Sequence, residues 1–195
     1  MKKVYIILTH TGTILSRIIR MFTGNEFSHV SLALDMDLKK MYSFGRLNPY
    51  NPFMGGFVHE YITKGTFGRF KNTRTKIYAL EITDEQYEKI RNRIIDVKKH
   101  RRDYKFNVIG LFAVGLHVRI QGQNTFYCAE FIKHLLEEAD INTELPILIK
   151  PEDFKKIDNL ELVYKGYLRE YKSECSNIEL LKKGKMIAGR KKSIV

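Results

Sequence analysis

Cys128 stands in the string Thr125-Phe126-Tyr127-Cys128-Ala129-Glu130-Phe131-Ile132, which reads as the start of a helix. With Thr125 as N-cap, the thiol falls in the first turn. There, unpaired backbone N–H groups and the positive end of the helix dipole favour a thiolate. The same N–H groups can hold the oxyanion that forms when a thiolate attacks a carbonyl. Ile132, Leu135 and Ala139 follow on the face of Cys128, so that side of the helix packs inward. Taken alone, this pattern describes core filler as well as it describes a nucleophile, because cysteine is among the most buried residue types.

A nucleophilic thiol needs a base. In Phe27-Ser28-His29-Val30-Ser31-Leu32-Ala33-Leu34, alternation places Val30, Leu32 and Leu34 on one face of a strand and His29, Ser31 and Ala33 on the other. The second face is small and slightly polar. A helix start carrying a thiol fits against it, with the imidazole in reach as general base. On its own, a strand-edge histidine with a satisfied hydrogen bond accounts for His29 equally well.

The elements that must position this pair follow from periodicity. Val4–Leu8 is an apolar, β-branched run that reads as a buried first strand. Thr13 caps a helix whose apolar residues Ile14, Ile18, Ile19 and Phe22 recur at helical spacing. Phe27–Asp35 and Lys40–Gly45 read as strands. Residues 46–75 hold Asn48-Pro49, Asn51-Pro52 and Gly55-Gly56, and read as mostly loop with a short strand near Phe57–Tyr61. Lys76–Ile82 is a strand, and Thr83 with Gln86 forms a capping box for a helix to about His100. Tyr104–Leu116 and Thr125–Ala139 read as helices, Ile149–Phe154 as a short turn or helix, and Leu160–Tyr164 as a last strand. Mixed helices and strands, several joined by hairpins, make the class α+β.

The stretch Ile14–Asp35, with Phe22-Thr23-Gly24 ahead of Phe27-Ser28-His29-Val30-Ser31-Leu32, resembles the His segment of the permuted NlpC/P60 group, especially its YiiX-like branch. Tyr127-Cys128-Ala129-Glu130-Phe131-Ile132 resembles that group's Cys helix, where a Tyr-Cys-Ser-Glu-Leu type of string is usual. Pro151-Glu152-Asp153-Phe154, with a strand after it, resembles the group's closing segment. The resemblance covers most of residues 3–165 and keeps the permuted order, His strand before a distant Cys helix. It implies a papain-like, circularly permuted α+β fold with a mostly antiparallel sheet packed against helices. It also implies a catalytic domain over 1–170, a Cys128 nucleophile, a His29 base and a third polar residue orienting the imidazole.

By alignment that third residue is Ser43, on the strand after the His strand, where the group often has an acid or another polar group. Ser43 can accept a hydrogen bond from the imidazole but brings no charge to an imidazolium. His59 and Glu60 are the nearby substitutes, and Thr9, His10 or Tyr5 the candidates for a second oxyanion donor. The implied activity is a cysteine hydrolase cleaving an amide or ester, either a cell-wall peptide amide or an acyl–lipid bond. Acyl transfer to an acceptor other than water is a variant. A non-catalytic binding or scaffold protein that kept the fold is the alternative from another class. No cofactor or metal is expected.

Lys and Arg number 34 against 22 Asp and Glu, a formal net charge of +12. That surplus suits anionic partners, or simply reflects surfaces coated with lysine. Lys182–Lys192 carries Lys182, Lys183, Lys185, Arg190, Lys191 and Lys192, and residues 171–195 read as a basic extension able to touch an anionic surface. Arg69, Lys71, Arg74 and Lys76 belong to no recognised nucleic-acid reader. Phosphate-binding loop and His-Glu-x-x-His strings are absent. Glu130 and His134 share a helix face but read as a solvated pair, since no further ligand stands at a telling spacing. Two cysteines, Cys128 and Cys175, do not make a disulfide framework. The first residues start like a signal peptide, but the apolar stretch ends early. No apolar run is long enough to cross a bilayer, and a cytoplasmic location is expected.

Overall fold

The computed structural model describes residues 1–13, 24–48, 50–107 and 122–171. The helix expected after Thr13, the body of the segment expected after Tyr104, Cys175 and the basic extension lie outside them.

Six strands form one sheet in the order β4-β3-β2-β1-β5-β8, every neighbouring pair antiparallel. They are β1 (Lys2–His10), β2 (His29–Ala33), β3 (Met41–Asn48), β4 (Asn51–Glu60), β5 (Arg74–Ile82) and β8 (Leu160–Tyr167). Val4–Leu8 is buried on both faces of central β1, which is why that stretch is continuously apolar rather than alternating. On one face Val4, Ile6, Leu8, Val30, Leu32 and Phe44 meet α2 (Asp84–Lys99) and α3 (Cys128–Glu138). On the other, Tyr5, Ile7, Ala33, Met41, Ile77 and Leu168 pack with Phe67 of the short α1 (Gly65–Arg69).

The capping box at Thr83 and Gln86 is present, with bonds of 3.0 and 3.1 Å, and α2 buries Ile90, Ile94 and Val97. Helix α3 buries Phe131, Ile132, Leu135 and Leu136. Full burial of each such side chain stabilises by roughly 1.5–3 kcal/mol, and Phe131 lies 4.8 Å from the Phe44 ring.

Two expected segments differ. Residues 46–75 are not mostly loop: β3 and β4 form a long hairpin and α1 follows. Asn51-Pro52 and Gly55-Gly56, which read as loop, sit instead on the edge strand β4, where a missing N–H is tolerated. Gly55 is there for space, since a Cβ would lie 2.4 Å from the Phe106 ring. Nor is the start of the Tyr104 segment helical. Lys105–Phe106 is strand β6, paired in parallel with β7 (Thr125–Phe126).

Candidate active site

The structure brings Cys128 and His29 together, by a route other than the expected one. Helix α3 packs on the Val30/Leu32 face, not on the small face of Ser31 and Ala33. Cys128 is the first residue of α3 and His29 the first of β2, so the thiol and imidazole meet where both elements begin. The two side chains are close enough to interact, and Cys128 helps to raise the pKa of His29.

The N-terminus of α3 is built differently from the expected cap. Thr125 belongs to β7, and its hydroxyl closes a turn by donating to the Gly122 carbonyl at 2.8 Å. Tyr127 is the N-cap position, and the Glu130 carboxylate accepts its N–H at 3.1 Å. That leaves Cys128 at the first helical position, where N–H groups have no intrahelical acceptor. Glu130 is therefore part of the cap, and Asn107 donates to it at 3.5 Å. His134 lies beside Glu138 and Arg93. Among the described residues no group of three or more His, Cys, Asp and Glu could hold a metal.

The imidazole's partner is a carboxylate. His29 Nε2 lies 3.0 Å from Glu60 Oε1 at the end of β4, and the side chains are only 20% and 10% exposed. One strand, β3, lies between their backbones on β2 and β4, and Gly45 on it leaves the gap they share. A Cβ at Gly45 would stand 3.3 Å from His29 Cε1 and 3.7 Å from Glu60 Oε1. Ser31 completes the group, its hydroxyl donating to Glu60 Oε2 and lying 3.3 Å from His29 Nε2.

Ser43 is not in this cluster. It is fully buried and donates to the Val30 carbonyl at 2.7 Å, tying β3 to β2. His59 is also elsewhere: its Nε2 lies 2.7 Å from the Lys39 carbonyl, and its Nδ1 2.8 Å from the Tyr61 hydroxyl. Thr9 is paired with His29 across the β1–β2 ladder and is fully buried. Its hydroxyl has no hydrogen-bond partner among the described residues. His10 Nδ1 lies 3.4 Å from Ser28 Oγ, and Tyr5 faces Ala33, further along the strand.

Electrostatics favour a charged imidazole. Burial is the largest influence on His29 and opposes protonation. The charge of Glu60, the interaction with Cys128 and the hydrogen bond to Glu60 together outweigh it and raise the pKa from 6.5 to about 10. At neutral pH the ring therefore carries its proton.

The closing segment ties both halves of the site. Pro151–Lys156 is a 3-10 turn whose Glu152 accepts the Phe27 N–H at 2.9 Å, two residues before His29. The Tyr127 hydroxyl donates to the Ile149 carbonyl at 2.9 Å, just before that turn. Comparison with protein-family models, curated proteins and solved structures gave no match.

Proposed function

We propose that the chain is a cysteine hydrolase acting on an amide or ester, with Cys128 as nucleophile, His29 as acid–base and Glu60 as the residue that orients and charges the imidazole. The observation that carries this reading is the Cys128–His29–Glu60 cluster, three side chains from three separate elements converging at the start of a helix. Neither a filler cysteine nor a strand-edge histidine calls for a nearly buried carboxylate as well.

With Nε2 held by Glu60, Nδ1 is the ring nitrogen left to exchange a proton with Cys128. Cys128 Sγ attacks the substrate carbonyl carbon while its proton resides on His29. The resulting oxyanion is held by backbone N–H at the start of α3. His29 then passes its proton to the departing amine or alkoxide as the C–N or C–O bond breaks, leaving a thioester on Cys128. Water attacks that thioester with His29 as base, the C–S bond breaks, and a carboxylic acid leaves. An acceptor alcohol or amine in place of water makes the same cycle an acyl transfer.

The permuted NlpC/P60 resemblance, papain-like fold and YiiX-like branch belong to this proposal, as do the cell-wall amide or acyl–lipid substrate and the cytoplasmic location. The scaffold alternative drew its motive from Ser43, which offered no charge to the imidazole. Glu60 supplies that charge. An activated acyl ester tests the reading: intact-mass spectra should show one acyl group, mapped to the Cys128 peptide, that forms and decays with turnover. His29→Ala should abolish its formation. Acylation of Cys128 at the same rate in His29→Ala contradicts the proposal.

A further inference from the structure

Next to the cluster lie two guanidinium groups with no carboxylate between them. Arg46 follows Gly45, the residue that touches both His29 and Glu60. Arg69 ends α1. Both stand over the same ring, with Arg46 Cζ 5.5 Å and Arg69 Cζ 5.4 Å from the Phe70 centroid. Arg69 also stacks on Tyr50 at 3.8 Å, and Tyr50 is 77% exposed. Arg46 is half-buried, and its guanidinium lies 3.4 Å from the Thr13 hydroxyl. Among the described residues, neither arginine has a carboxylate within ion-pair distance.

Such a pair is costly when empty. Burial first, and the charge of Arg69 second, hold Arg46 below the usual guanidinium range, with Glu60 opposing more weakly. Other side-chain cations here are commonly neutralised: Lys76 by Glu26, Lys89 by Glu85 and Asp140, and Arg93 by Glu138. Two forked, weakly hydrated donors held by aromatic stacking match a carboxylate or phosphate, which they can grip through paired N–H bonds.

We infer that Arg46 and Arg69 form a recognition site for an oxyanion group, so that the substrate is an acyl compound carrying a phosphate or carboxylate away from its scissile bond. The site itself stands on the arginine geometry; its meaning as substrate recognition rests on the hydrolase reading above. Ions provide the probe. Thermal unfolding of the full chain is followed across a phosphate titration against chloride at equal ionic strength, with acetate and glycerol 3-phosphate as further arms. Phosphate should raise Tm with a saturable dependence, in wild type and equally in Cys128→Ala. Arg69→Gln should weaken the apparent phosphate affinity roughly tenfold, the effect of losing one charged hydrogen-bonding partner. Arg69 is exposed, so this variant should keep the fold. Arg46→Lys, which keeps the charge but not the fork, should weaken it as well.

A stronger response to acetate than to phosphate assigns a carboxylate, and a stronger one to glycerol 3-phosphate a phosphoester. No saturable response to any of the three anions, or the same response in wild type and both arginine variants, overturns the site. Loss of acylation at Cys128 with the arginine-dependent response intact would remove the hydrolase reading and leave the anion site standing.

Discussion

Each buried polar side chain around His29 can be asked what it costs the fold. Thr9, its ladder partner, answers most sharply. Its buried hydroxyl has no partner among the described residues, and an unmet polar group in the interior costs about 1–3 kcal/mol. Thr9→Val keeps the shape and removes the hydroxyl. It should therefore raise stability by about 1 kcal/mol in urea denaturation. A loss of stability would show that the hydroxyl is satisfied in the fold. Cys128 and His29 stood out in the sequence because helix-start and strand patterns are local. Their partner was legible only in part: the alignment pointed to Ser43, with Glu60 one of two nearby substitutes. Glu60 reaches His29 across β3 only because Gly45 has no side chain, and strand pairing of that kind leaves no mark on the residues' spacing.

At the scale of elements, the site depends on where β2 and α3 begin. The Glu152 carboxylate holds the Phe27 N–H, and Tyr127 holds the Ile149 carbonyl, so one short turn fixes both starts. Glu152→Ala should cost about 1–3 kcal/mol, as a hydrogen bond from a nearly buried N–H to a charged group is lost. It should also slow acylation of Cys128 by letting His29 drift, while Glu152→Gln, which keeps an acceptor, should recover most of both losses. Elements marked by periodicity and caps were readable. Strand β1 and helix α2 appear where the apolar runs and the Thr83–Gln86 box place them. The β3–β4 hairpin was obscured by turn-forming residues that an edge strand tolerates, and α3 met the opposite sheet face from the one its thiol suggested.

For the whole molecule, the cluster links the fold to pH. The folded-state pKa of His29 is raised from 6.5 to about 10. Its contribution to stability is then fully present below pH 6.5 and is lost as pH rises through about 10. In urea denaturation, the advantage of the wild type over Glu60→Gln should shrink steadily across that window; a constant difference would show that His29 and Glu60 are not coupled in the fold. The sheet, with α2 and α3 on one face and the short α1 on the other, is α+β, as the order of patterns implied. No helix among the described residues is long and apolar enough to cross a membrane.

The central claim is that a Glu60-charged imidazole activates Cys128. Its most direct test is the rate of Cys128 alkylation by iodoacetamide against pH, followed by peptide mass mapping so that Cys175 is read separately. The wild type should alkylate Cys128 well below pH 8, faster than Cys175 in the same sample, and Glu60→Gln should slow it roughly tenfold at pH 7 as the imidazole loses the charge beside it. Alkylation of Cys128 that rises only above pH 8, at the pace of an ordinary thiol and unchanged by Glu60→Gln, would contradict the account.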